Sequence, residues 1–134
     1  MLLPMFAFVV FIYLFLLLNF IFRVRSVKSH AVKIGYYRLF SGDQQIPRHI
    51  LAGQKHFANL FETPVLFFVV GILAIVLKVE TPLMIGLAWS YVGIRIVHAF
   101  IHSTYNNVVH RMLVFWASIL ALFAMWLHLV ISTY

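Results

Sequence analysis

The chain contains no cysteine. That excludes a disulfide scaffold, a protein thiol nucleophile and any thiolate-ligated metal site. Acidic residues number only three: Asp43, Glu62 and Glu80. Glycine is scattered, with no Gly-rich run to cradle a phosphate. Charged residues make up 10% of the chain, whereas soluble domains carry about 25%. No block of lysines and arginines of the nucleic-acid-binding type exists, so no nucleic-acid partner is expected.

What is present is apolar. Hydrophobic residues account for 64% of the 134 positions. A soluble fold of this size could not hide so much apolar surface, but lipid can. The expected class is an all-α integral membrane protein, a single four-helix membrane domain over residues 1–134. Helix one is expected at about 2–22 and is read as a transmembrane helix, not a cleaved signal, because no basic n-region precedes it. Helix two is placed at about 48–77, helix three at 82–102 and helix four at 111–131. Each supplies the roughly 20 residues that a span needs. Pro47 and Pro82 suit the starts of helices two and three.

The net charge of +7 reads mainly as a topology signal. Six of the ten basic residues lie between helices one and two: Arg23, Arg25, Lys28, Lys33, Arg38 and Arg48. Lys55 enters helix two and Arg111 opens helix four, whereas the opposite side has only Lys78. The basic loop 23–47 is therefore expected in the cytoplasm, with both termini on the other side.

Polar side chains in lipid are costly and by default face the bundle interior. Lys55, Asn59 and Glu62 recur at i, i+4 and i+7 and share one face of helix two. Tyr91, Arg95, His98 and His102 do the same on helix three, and Arg111 and Ser118 on helix four. Three polar stripes converge in the cytoplasmic half. Glu62 and Arg95 lie deepest in apolar sequence, so pairing across helices two and three is the natural solution. His98 and His102 have a spacing that can hold a metal, but the only acid nearby is Glu62, and hydrogen-bonding histidines fit better. No metal is expected. His128 reads as an interfacial residue, and Trp89, Trp116 and Trp126 as packing or interface anchors. Lys55, Arg95, Arg111 and Arg23 make a cationic cleft suited to a small anionic ligand bearing carboxylates.

The pattern Lys55-x3-Asn59-x2-Glu62 with Pro64 close behind resembles the second-helix signature of the MAPEG family, the membrane-associated proteins in eicosanoid and glutathione metabolism. Arg95-x2-His98-x3-His102 resembles that family's Arg-x2-His-x3-Tyr stretch in helix three. Arg111 falls where the family has a thiolate-stabilising arginine, and Arg23 where it has a basic residue contacting glutathione. The ordered set covers nearly the whole chain and is similar to a bacterial-type member, of the kind of microsomal glutathione transferase and prostaglandin E synthase. The resemblance implies a homotrimer with glutathione as co-substrate between subunits, near the cytoplasmic side of a bacterial inner membrane. It implies Arg111 as the catalytic residue. Arg23, Lys55, Asn59, Glu62, His98 and His102 would be ligand contacts, and Arg95 would pair with Glu62 as a structural core. The substrates would be lipophilic electrophiles arriving from membrane lipid.

The chain departs from the family pattern at four places. Ala58 stands for an arginine, His102 for a tyrosine, and Met112 and Phe115 for hydroxyl-bearing residues. These departures keep a second function open: a non-catalytic scaffold of the same fold that holds a lipid or fatty acid. A small multidrug exporter shares only the size, because its essential carboxylate lies in a first helix and helix one here has no acid.

Overall fold

The structure, a computed structural model, describes residues 1–30, 62–105 and 107–134. Among the described residues there are four helices and no strand. They are α1 (Leu2–Lys28), α2 (Pro64–Val76), α3 (Pro82–Ser103) and α4 (Val108–Thr133). Helices α1, α3 and α4 are long and apolar enough to cross a membrane. Helix α2 is a shorter apolar helix of 13 residues. The upstream part expected for it, 48–61, lies outside the described residues, and Lys55 and Asn59 with it.

Helix α1 does not stop at Phe22, where the apolar run ends. It continues to Lys28 and carries Arg23 and Arg25 as helical residues. Leaving hydrocarbon is no reason to stop a helix, and cations in a last turn complement the partial negative charge of its carbonyl end. Helix α4 likewise begins before Arg111. Asn107 caps it, its side-chain oxygen accepting from the amides of Val109 at 2.9 Å and His110 at 3.1 Å. Arg111 is thereby placed in the first turn. Replacing Asn107 with alanine is expected to cost about 1 kcal/mol. Thermal unfolding of the detergent-solubilised protein should show it, and an unchanged midpoint would deny the cap its role.

The helices alternate in direction. Residues 77–81 turn the chain between α2 and α3, with Lys78 at φ 57. Thr81 caps α3 by accepting from the Met84 amide at 3.2 Å. Its hydroxyl also meets His128 Nε2 at 2.7 Å. His128 is thus engaged, tying the far part of α4 to the α2–α3 turn. The Met1 amino group pairs with Glu80 at this same end. The opposite end gathers the end of α1, the start of α2 and the turn between α3 and α4.

Helices α3 and α4 pack most extensively, α1 lies against α3 and α2, and α2 also touches α4. Their buried residues follow one period. On α4 these are Ser118, Leu122, Met125 and Leu129, a seam at i, i+4, i+7 and i+11. On α3 the seam runs through Met84, Ala88, Tyr91, Arg95, His98 and His102. An aromatic hub joins three helices. Phe8 of α1 meets Phe67 of α2 edge-on at 5.6 Å and Tyr91 of α3 at 5.7 Å, and Phe67 stacks on Tyr91 at 4.6 Å. Gly71 permits the close approach of α1, because a Cβ there would come within 2.7 Å of Met5 Sδ.

Most of α1 is left uncovered. Only Pro4, Phe8 and Ser26 of it are buried, while Phe6, Tyr13, Leu14, Leu17 and Phe20 are exposed on the protomer. Water would not tolerate that surface, but hydrocarbon does, and the helices satisfy their own backbone hydrogen bonds inside it.

Candidate functional site

The polar seam of α3 is the centre of the site. Arg95, His98 and His102 are 1%, 1% and 2% exposed. Spacing at i, i+3 and i+7 puts all three on the face that α3 turns into the bundle. They continue downward from Tyr91, in the direction of the basic end of α1. His98 and His102 sit with ring centroids 6.1 Å apart, and Phe115 of α4 stands 6.0 Å from His98.

Arg111 reaches this pair from the first turn of α4. Its Nη1 donates to His102 Nε2 at 3.5 Å. His98 lies within electrostatic reach of Arg95, His102 and Arg111 together. Two guanidinium groups and two imidazoles thus converge from two helices. Such a set attracts an anion and offers nitrogen donors to it. Among the described residues no group of three or more His, Cys, Asp or Glu side chains could hold a metal ion.

Glu62 stands just ahead of α2, exposed on the protomer, within electrostatic reach of Arg95. Ser118, on the expected stripe of α4, donates to the Phe115 carbonyl at 2.6 Å. That bond satisfies its hydroxyl within its own helix. Arg23 is half-buried on α1, at the same end of the bundle as Arg111.

Two features lie beyond the stripes read from the sequence. Asn19, Arg23 and Ser26 recur at i, i+4 and i+7 on α1, with Ser26 buried and donating to the Arg23 carbonyl at 2.7 Å. The periodicity was visible, but Ser26 falls beyond the apolar run and so outside the expected helix. Thr63 is the second. Its hydroxyl and that of Tyr91 are both buried and lie within interaction reach of each other. No sequence signal singles out a threonine before a proline for such a place.

An apolar groove of about 610 Å3 runs between α3 and α4, lined by Ser90, Gly93, Ile94, Val97, Leu113, Val114 and Ala117. Ser90 donates to the Gly86 carbonyl at 2.9 Å, so the groove presents little besides hydrocarbon.

Described residues that are helical, with three helices long and apolar enough to span a membrane and with arginine and histidine gathered inside, mark an integral membrane protein with a polar interior site. Its particular kind is set by comparison. The sequence model of the MAPEG family matches residues 1–131, nearly the whole chain, and the chain belongs to that family. Comparison with curated proteins and with solved structures gave no match.

Proposed function

We propose that this protein is a glutathione-dependent transferase or peroxidase acting on lipophilic electrophiles through an arginine-stabilised thiolate. Arg111 is the catalytic residue of that reading. Arg23, Lys55, Asn59, Glu62, His98 and His102 bind the anionic tripeptide, and Arg95 pairs with Glu62 to hold α2 and α3 in register. The supporting observation is the convergence of half-buried Arg111 on the seam where Arg95, His98 and His102 are buried. Family membership supports it independently.

A thiol of pKa ~8.5 is mostly protonated at neutral pH and a weak nucleophile in that form. A guanidinium held beside the sulfur favours the charged form, and low dielectric strengthens the attraction. The thiolate then attacks an electrophile that enters from the bilayer. Membrane residence suits such substrates because they concentrate in lipid. The uncovered face of α1 suits a homotrimer, in which neighbouring protomers complete the site. The basic end of the bundle then faces the cytoplasm of a bacterial inner membrane.

The apolar groove between α3 and α4 favours a second reading, a lipid- or fatty-acid-binding scaffold of the same fold. Calorimetric titration of the detergent-purified protein with glutathione separates the two. Saturable binding accompanied by ultraviolet thiolate absorbance is expected. No binding heat at millimolar glutathione would sink the enzyme and leave the scaffold.

A further inference from the structure

The contact between Arg111 and His102 determines more than the orientation of either. A guanidinium has only N–H groups to offer and keeps its proton in proteins. The nitrogen that meets Arg111 Nη1, His102 Nε2, therefore presents its lone pair. His102 is a neutral imidazole with its proton on Nδ1. A base whose lone pair accepts from Arg111 thus stands against the cation that receives the thiolate. It is buried on the seam of α3 and sheltered from water.

We infer that His102 is the catalytic base of this protein, the group that takes the proton of the thiol bound at Arg111. The inference rests on the glutathione reading above. In the step, the S–H bond breaks and its electron pair stays on sulfur. The proton passes to His102 Nε2. The Arg111 N–H that was bonded to Nε2 turns to the sulfur, which then lies between guanidinium and imidazolium. A neutral thiol and a neutral imidazole become a thiolate and an imidazolium, so total charge is unchanged and no proton leaves the site. In a site closed to water this avoids sending a proton out through hydrocarbon. Placing nucleophile and base within hydrogen-bond reach is the general arrangement for activating a weak nucleophile.

Among the described residues, the charged and titratable groups around His102 include Arg111 from α4 and His98 from α3, with Arg95 one turn further on. Glu62, ahead of α2, reaches Arg95. His98 is the competing acceptor.

Proton counting tests the assignment without turnover. The full-length protein in detergent is titrated with reduced glutathione near neutral pH, in buffers of different ionisation enthalpy. The dependence of heat on buffer gives protons released, and ultraviolet absorbance gives thiolate formed. The wild type is expected to form thiolate while releasing close to no protons. His102→Gln retains an amide oxygen that accepts from Arg111 but cannot take a proton. It is expected to release about one proton per thiolate formed, or to bind glutathione and leave the thiol protonated. His98→Phe removes a glutathione contact and is expected to weaken binding, while the thiolate that does form still appears with close to no protons released.

Release of one proton per thiolate by the wild type would overturn the assignment, even if no variant folds. So would a His102→Gln protein that forms thiolate with the wild-type proton count, or a change confined to His98→Phe. Absence of binding heat in the wild type would remove the glutathione reading itself, and the inference with it. That outcome is distinct from binding with the wrong proton count.

Discussion

Arg111→Ala is expected to lower glutathione-dependent turnover about 10- to 1000-fold while the bundle stays folded. Arg111 is half-buried in the first turn of α4, away from Phe8, Phe67 and Tyr91, and its Nη1 donates to His102 at 3.5 Å. Truncation therefore opens no cavity in the aromatic hub. Its cost falls on the thiolate. An opposite charge at close range shifts an ionisation by about 1–3 pK units, so removing it lowers the charged population at neutral pH by roughly ten-fold or more. Loss of a transition-state donor in a dry site adds to this, commonly by about 10²–10³. Arg111→Lys retains the charge and loses the planar fork, so it should recover thiolate absorbance better than rate. The measurements are kcat/KM with a lipophilic electrophile and thiolate absorbance at saturating glutathione. Unchanged turnover and absorbance in Arg111→Ala would remove this residue from the chemistry.

Arg95→Ala is expected to destabilise the fold itself, by about 3–5 kcal/mol. Among the described residues Arg95 is the largest fully buried side chain, at 1% exposure. It lies one turn beyond Tyr91, within electrostatic reach of both Tyr91 and Glu62. Truncation removes a long side chain from the α3 seam and the cation that faces Glu62. Thermal unfolding in detergent, with the fraction recovered as a monodisperse species, is the measurement. Arg95→Met restores much of the volume without the charge. Recovery of stability in that variant would assign the cost to packing, and persistent loss would assign it to the charge. An Arg95→Ala protein as stable as the wild type would deny the residue its structural role.

Comparison of particular elements shows which features were legible in the residues. The seam of α3 could be read directly. Tyr91, Arg95, His98 and His102 share a helical face by spacing alone, and polar residues in lipid turn inward, so all four are buried. The start of α3 at Pro82 was equally plain. The end of α1 was not. Hydropathy marks where hydrocarbon stops, and the helix runs on to Lys28 because nothing local breaks it. The start of α4 was misplaced for a related reason. Valines 108 and 109 and the Asn107 cap precede the first cation, and a cap is a hydrogen-bond geometry that hydropathy does not register. His128 offered no partner in the sequence, since Thr81 lies 47 residues away.

Composition and periodicity were enough for the membrane class, the number of described helices, the inward polar face of α3 and the family resemblance. These depend on solvent preference and on a 3.6-residue period, both of which are local properties of the chain. Which polar groups meet was settled only by packing. The bond from Arg111 to His102 and the reach of Glu62 to Arg95 each join different helices, as does the meeting of Thr81 and His128. Their distances depend on how two helices are rotated and offset against each other. Large and small side chains across the whole interface set that offset, from the hub around Phe8 to Gly71 under Met5, and no single helix contains the information.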